Sequence, residues 1–114
     1  MSEQEWLQRY FEQYQAVLIQ PDVFTQLIEL KDLFKVCQEL GKKAILAGNG
    51  GSAAIASHCA VDLTKNAEIR CVNFNEAALI TCLANDYGYE RWLQKALELY
   101  ADHGDLVILI SSSG

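Results

Sequence analysis

Residues 43–58 read KAILAGNGGSAAIASH: a short apolar run, a cluster of glycines, one serine, and small helix-forming residues that lead to a histidine. A short apolar run that ends at glycines is typical of a buried strand, and the residues after the cluster favour a helix. Glycines between a strand and a helix let the backbone approach an anion, and the free amides and dipole of the helix favour negative charge there. The stretch therefore predicts a strand, a tight loop and a helix.

Three interpretations of this loop are open: a dinucleotide site, a plain tight turn, and a site for a small phosphorylated molecule. Gly48, Gly50 and Ala53 fit the dinucleotide pattern G-x-G-x-x-[GA], which also requires an acid at the end of the second strand. The second predicted strand ends instead at Asn73. Ser52 could cap the helix or donate its hydroxyl to a phosphate oxygen. These residues favour the phosphorylated small molecule.

The composition is that of one globular domain. The chain has 114 residues, of which 51% are hydrophobic and 21% are charged, so we expect a single core. Its apolar stretches are far shorter than the roughly 20 residues that cross a bilayer, and its N-terminus is polar. We therefore expect a soluble, cytoplasmic protein with no membrane partner. The formal net charge of -6 argues against nucleic acid, because binding a polyanion over a broad surface needs clustered Lys and Arg.

Periodicity along the chain predicts two helices followed by alternating strands and helices. Apolar residues at spacings of three and four predict a helix over 4–19, which Pro21 ends, and Asp22 could cap a second helix over 23–40. The predicted buried side of the second helix comprises Phe24, Leu27, Ile28, Leu30, Phe34 and Leu40. The other predicted elements are strands at 43–47, 69–73 and 105–110 and helices at 52–66, 76–83 and 89–100. This alternation predicts an α/β fold, a parallel sheet flanked by helices and preceded by an N-terminal helical pair.

The whole chain is predicted to form a single α/β domain, with N-terminal helices over 1–40 and the sheet portion over 43–114. The apolar strand LVILI (106–110) runs directly into a Ser/Gly loop that should open another helix in this architecture. We therefore expect an incomplete domain whose C-terminal part is missing, and poor folding of these residues alone. A small domain that a partner chain completes is the alternative.

Two further polar segments accompany the glycine cluster. Asn85 and Asp86 follow an apolar segment and precede Tyr87-Gly88-Tyr89, which predicts a turn. Ser111, Ser112 and Ser113 follow the last strand, at the carboxyl edge where ligands of open parallel sheets bind. Two loops suited to anions in one fold suggest that both hold the same phosphate.

Three segments, GNGGSAAIASH (48–58), LANDYGY (83–89) and ILISSSG (108–114), together resemble the sugar isomerase (SIS) domain family, and within it the phosphoheptose (sedoheptulose 7-phosphate) isomerases. The resemblance covers nearly the whole chain in order and spacing, and implies a flavodoxin-like, doubly wound fold. It implies a site for a phosphorylated ketose or aldose, lined by Asn49, Gly50, Gly51, Ser52, Asn85 and Asp86. It also implies that Ser111, Ser112 and Ser113 bind the phosphate.

His58 and Asp62 are four residues apart, so they share one face of the predicted helix and could bind one metal or exchange protons with one substrate. The alternative is a polar helix face that packs on a neighbouring subunit. The resemblance implies that this pair holds zinc and is catalytic, with the acid transferring a proton in an aldose–ketose isomerisation. The family usually has Glu where this chain has Asp62, and its remaining zinc ligands would lie beyond Gly114.

Two functions remain open. The first is an isomerase that converts sedoheptulose 7-phosphate into a manno-heptose 7-phosphate through an enediol, supplying heptose for lipopolysaccharide or capsule. The second is a non-catalytic SIS module that binds a sugar phosphate and regulates a protein partner. An enzyme must complete a metal-binding or acid–base set around Asp62, whereas a regulator need not.

The first helix also predicts self-association. Trp6, Tyr10, Phe11 and Tyr14 offer more apolar surface than a helix at the edge of a small domain usually hides. The family's first helix joins subunits, so the resemblance implies a homo-oligomer, a tetramer. Packing of this stripe within its own domain is the alternative.

Overall fold

The computed structural model describes all 114 residues, Met1–Gly114. The helices are α1 (Glu3–Leu18), α2 (Pro21–Glu39), α3 (Gly51–Ala67), α4 (Ala77–Tyr87) and α5 (Trp92–Tyr100), and a 3-10 turn at Tyr89–Arg91 precedes α5. The strands are β1 (Ala44–Gly48), β2 (Cys71–Asn73) and β3 (Leu106–Ile110). The chain forms two compact units, Met1–Asp32 and Leu33–Gly114. None of the helices combines the length and hydropathy that crossing a membrane requires.

The first unit contains α1 and the first part of α2. Ser2 begins α1 with a capping box: its hydroxyl accepts the Glu5 N–H at 3.2 Å, and the Glu5 carboxylate accepts the Ser2 N–H at 2.7 Å. The rings of Trp6 and Tyr10 stack with their centroids 5.7 Å apart. No residue of α1 is buried. The predicted first helix is confirmed within one residue at each end.

Helix α2 begins at Pro21 itself, so the prediction that Asp22 caps it is wrong. Proline suits the first helical position, because its fixed φ is helical and an N–H there would have no acceptor within the helix. The helix ends where Gly41 takes φ +66, with the Gly41 N–H donating to Gln38 O at 3.0 Å and the Lys42 N–H to Cys37 O at 2.9 Å. This is a Schellman motif, and it confirms Gly41 as the residue just past the helix.

The predicted buried side of α2 is only partly right. Phe34 is buried and Leu30 is half-buried, whereas Phe24, Leu27, Ile28 and Leu40 are exposed. Spacing identifies an apolar face of a helix, but the arrangement of other elements determines whether that face is covered.

The second unit is built on a three-stranded parallel sheet of order β2-β1-β3. In the register of the central strand, Ala44 pairs with Cys71 on one side and with Leu106 on the other. Gly48, the last residue of β1, pairs with Ile110, the last residue of β3. The order 2-1-3 is how a flavodoxin-like sheet begins.

Helices cover both faces of the central strand. Ile45 and Ala47 pack in one core with Leu83 of α4 and with Trp92 and Ala96 of α5. The alternate residues of β1 point to the other face, against which α3 packs. All four residues 44–47 are buried, as the continuous apolar run predicts for a strand covered on both faces. The predicted α/β class, a parallel sheet flanked by helices and preceded by a helical pair, is confirmed.

Helix α4 continues further than predicted, so Asn85 and Asp86 lie in its last turn. The prediction of a turn at these two residues is wrong. Asn and Asp disfavour a helix interior but do not by themselves stop a helix. The first residue that leaves helical geometry is Gly88, whose φ of +93 favours glycine.

Asp105 ties the start of β3 to the start of β1. Its side chain is only 2% exposed and lies 2.6 Å from Lys43 Nζ. It also accepts the backbone N–H of Lys43 at 3.2 Å and that of Asp102 at 2.7 Å. Burial alone would raise the pKa of Asp105, but the hydrogen bonds from Lys43 and Asp102 outweigh it and hold this pKa below its ordinary value of 3.8.

Asp105→Asn should lower the unfolding free energy of the intact protein at neutral pH by about 3 kcal/mol, because Lys43 loses its buried partner. Because folding lowers the pKa of Asp105, the ionised carboxylate stabilises the fold at any pH above the ordinary pKa of 3.8. That contribution is lost as pH falls through the folded pKa. Urea unfolding between about pH 5 and pH 2 should therefore show a weaker acid destabilisation in the variant than in the wild type.

Asp102→Asn is the matched control, because Asp102 contacts the same lysine at 2.8 Å with a side chain that is 73% exposed. It should cost less than about 1 kcal/mol, the usual limit for an exposed ion pair. Equal losses in the two variants would contradict the role given to Asp105.

Candidate functional site

Two glycines shape the loop between β1 and α3. A Cβ atom at Gly48 would lie 2.5 Å from both the carbonyl carbon and the carbonyl oxygen of Ser52, so only glycine fits between strand and helix. Gly50 has φ +57 and ψ -123, a conformation that residues with a side chain rarely adopt. Gly51 has neither demand, because no atom lies within 4 Å of its Cβ position.

The loop presents free hydrogen-bond donors at the N-terminus of α3. The N–H groups of Ser52 and Ala53 donate to Asn49 O and Gly50 O, each at 3.0 Å, whereas those of Gly50 and Gly51 have no acceptor in the protein. Gly50 is the N-cap, so the alternative in which Ser52 caps the helix is wrong: Ser52 already lies inside the first turn. Together with the dipole of the 17-residue helix, these amides suit an anion.

The serine loop starts beside the glycine loop. Because Gly48 pairs with Ile110, the next residues, Asn49 and Ser111, leave neighbouring strands at the same edge of the sheet. Parallel strands lie about 4.8 Å apart, so the two loops begin within reach of one small ligand. The Ser111 hydroxyl accepts the Gly114 N–H at 2.8 Å, and Ser112 and Ser113 are exposed.

Asn75 is part of this edge and was missed at the level of sequence. Its carboxamide pairs with the backbone of Gly48 in both directions, accepting the N–H at 2.8 Å and donating to the carbonyl oxygen at 2.6 Å. Asn73 donates to Leu46 O at 3.1 Å and accepts the Asn75 N–H at 3.0 Å. The sequence signal for this contact is the asparagine pair at the end of β2, with Asn73 as its last residue and Asn75 two positions later.

Contact between LANDYGY and the glycine loop is made by Tyr89. Its hydroxyl donates to Asn49 Oδ1 at 2.7 Å. Asn85 and Asp86, both exposed, hydrogen-bond each other at 3.3 Å, and neither hydrogen-bonds the loop. The segment therefore contacts the glycine loop through Tyr89, and Asn85 and Asp86 make no hydrogen bond to it.

His58 and Asp62 share one face of α3, as their spacing predicts. Their Nε2 and Oδ2 atoms lie 3.1 Å apart, and the two side chains are 78% and 52% exposed. At 1.5 Å per residue, His58 lies about 10 Å along the helix from Gly51, so the pair is separate from the two loops.

The pair offers donors of the kind that zinc accepts, one imidazole nitrogen and one carboxylate oxygen. Catalytic zinc sites usually have three protein ligands. In this chain no group of three His, Cys, Asp or Glu side chains could hold a metal ion. His58 and Asp62 thus fit as part of a ligand set, and the remaining ligands would have to come from other residues.

Proteins of known name are similar in sequence to most of this chain. No protein-family model matches the chain. A phosphoheptose isomerase of Fusobacterium nucleatum is 37% identical in a match that covers 75% of this chain and 50% of that protein. A phosphoheptose isomerase of Sulfurimonas denitrificans is 34% identical in a match that covers 96% of this chain and 60% of that protein. The chain is thus similar to phosphoheptose isomerases along nearly its whole length.

A solved structure is similar as well. The phosphoheptose isomerase GmhA of Neisseria gonorrhoeae matches with a TM-score of 0.76 and 26% identity, over 96% of this chain and 61% of that one. These similarities confirm the resemblance that the three motif segments carry. The chain spans half to three fifths of the length of the family members named here.

The contrast between Gly48 and Gly51 is testable. Gly48→Ala forces α3 away from β1 and should cost about 3 kcal/mol of unfolding free energy, as overpacking does. Gly51→Ala should change the unfolding free energy by less than about 1 kcal/mol, because the new methyl group has room. Urea unfolding of the two intact variants measures both values, and equal losses would contradict the packing described for Gly48.

Proposed function

We propose that the intact protein is a phosphoheptose isomerase, which interconverts sedoheptulose 7-phosphate and a manno-heptose 7-phosphate in the cytoplasm and supplies heptose for lipopolysaccharide or capsule. The main support is the 34% identity to a phosphoheptose isomerase across 96% of the chain. The paired glycine and serine loops at one sheet edge agree with a phosphorylated substrate. No observation favours the regulatory alternative.

In this proposal the two loops hold the phosphate. The Gly50 and Gly51 amides have no acceptor in the protein, and the Ser52 hydroxyl makes no hydrogen bond within it. Ser111, Ser112 and Ser113 would approach the same phosphate from β3. Asn49 would contact the sugar beside them, and Asn85 and Asp86 would line the site from the end of α4.

The reacting carbons lie far from that anchor. In a ketoheptose 7-phosphate, C1 and C2 are at the opposite end of the carbon chain from the phosphate. A base for these carbons should therefore lie away from the phosphate loops, as His58 and Asp62 do along α3. Isomerisation moves one proton from C1 to C2 and one from O1 to O2, so it needs a group that takes and returns protons. We assign Asp62 this role, with His58 as its partner.

Zinc is part of the proposal. If bound by His58 and Asp62 with further ligands, zinc would stabilise the negative oxygen of the enediolate as a Lewis acid. The side chain of Asp62 is one methylene shorter than that of Glu, so its carboxylate lies closer to the α3 backbone.

Kinetics should separate the two ends of the site. Ser52→Ala should raise KM with little change in kcat, because it removes a contact made in both the ground state and the transition state. His58→Ala should lower kcat by about 10² to 10⁴-fold, the usual contribution of a positioned acid or base. The assay is isomerisation of sedoheptulose 7-phosphate by the intact protein.

The unfolding free energy is the control for both variants. It should change by less than about 1 kcal/mol for His58→Ala, because both side chains of the contact with Asp62 are exposed. Full activity of the His58 variant would refute the catalytic role given to His58. A wild type that binds the sugar phosphate without converting it would refute the isomerase proposal.

We further propose that the protein forms a homo-oligomer, a tetramer, through α1. The apolar stripe of α1 is about half exposed or more at every position: Trp6, Leu7, Tyr10, Phe11, Tyr14, Val17 and Leu18. An exposed apolar surface of this extent favours association. The opposite face of the helix is polar, with Glu5, Gln8, Arg9 and Glu12.

Charges placed on the stripe should disrupt assembly. Phe11→Lys combined with Tyr14→Lys should reduce the particle mass of the intact protein in light scattering, because both charges would have to be buried in the interface. Glu12→Lys, on the polar face, is the control and should leave the mass unchanged. A monomeric wild type, or an unchanged mass in the double variant, would contradict assembly through this stripe.

A further inference from the structure

Tyr89 and Asn49 form a hydrogen bond between two separate segments of the proposed site. The Tyr89 hydroxyl lies 2.7 Å from Asn49 Oδ1, although the two residues are 40 positions apart in sequence. Both residues are exposed. A hydrogen bond between exposed groups adds little to stability, because water replaces either partner at small cost. The fold therefore has little need of this contact.

The bond determines which way the Asn49 amide faces. A tyrosine hydroxyl that donates to Oδ1 turns the NH₂ group of the same carboxamide away from itself. That NH₂ group has no partner in the protein. Asn49 thus offers two free donors beside the open amides of Gly50 and Gly51.

The backbone on both sides of Tyr89 is held by a tight turn and by the core. Gly88 takes φ +93, and a Cβ there would lie 2.7 Å from a carboxylate oxygen of Glu90, so the chain turns sharply before Tyr89. The Arg91 N–H closes the following 3-10 turn on Gly88 O at 3.1 Å. The next residue, Trp92, is buried in the core. The tyrosine therefore projects from a turn anchored to the core.

We propose that Tyr89 is a positioning residue of the substrate site: its hydroxyl holds the Asn49 carboxamide so that the NH₂ group faces an acceptor oxygen of the sugar phosphate. This inference rests on the proposed function. It adds a residue to the site that acts only through Asn49 and touches neither the phosphate nor the reacting carbons.

Tyr89→Phe in the intact protein tests the inference. It should raise both the KM for sedoheptulose 7-phosphate and the Kd of that sugar phosphate in calorimetry by roughly 3- to 10-fold, the worth of one neutral hydrogen bond. The kcat should stay within about twofold, since the contact exists in ground and transition states alike. Tyr87→Phe is the matched control: its ring contacts Lys95, but its hydroxyl has no hydrogen bond in the protein, so all three values should stay unchanged.

A double-mutant cycle separates positioning from a purely structural role. In an Asn49→Ala background, Tyr89→Phe should have no further effect on KM or Kd, whereas loss of ring packing or loop stability would act in either background. An unchanged KM and Kd in Tyr89→Phe, or an equal effect in the Asn49→Ala background, would overturn the inference.

The outcomes also separate this inference from the proposed function. A wild type that binds the sugar phosphate without turnover refutes the isomerase and leaves Tyr89 to be judged by Kd alone. A wild type that isomerises normally while Tyr89→Phe matches it refutes only the positioning role. A wild type that neither binds nor converts the sugar phosphate refutes both.

Discussion

Helix α3 starts so close to the end of β1 that no side chain fits between them. The Cβ position of Gly48 is 2.5 Å from the Ser52 carbonyl group, so the residue there has to be glycine. This close approach turns the chain directly from strand to helix and exposes the first amides of α3 at the sheet edge. The register between Gly48 and Ile110 then places the serine loop beside them.

The site follows from topology more than from any one motif. Parallel strands bring their carboxyl ends to one edge, so segments distant in sequence meet there. Asn49 and Asn75 follow two neighbouring strands, and Tyr89 reaches the same edge from the turn between α4 and α5. Side-chain hydrogen bonds connect Asn75 to Gly48 and Tyr89 to Asn49. His58 and Asp62 lie further along the helix that this loop begins, separate from the glycine and serine loops.

Much of this architecture could be predicted from the sequence, because glycine clusters, apolar runs and helical spacing express local constraints. Gly41 ends α2 as predicted, since a positive φ favours glycine there. Local patterns could not show that α4 continues through Asn85 and Asp86, because neither residue stops a helix. They also could not show that Asn75 pairs with Gly48, because 27 positions separate the two residues and only the sheet brings them together.

The Asn75 carboxamide imitates a peptide group. It pairs with the N–H and C=O of Gly48 as a neighbouring strand would, after β2 itself has ended at Asn73. Main-chain pairs in a sheet survive almost any substitution, because every residue except proline supplies the same two groups. Here the last pair of hydrogen bonds at the end of β1 is made by a side chain. The attachment of the glycine loop to the sheet therefore depends on the identity of one residue. A single mutation at position 75 can remove or alter it, whereas the main-chain pairs of the sheet do not depend on side chains.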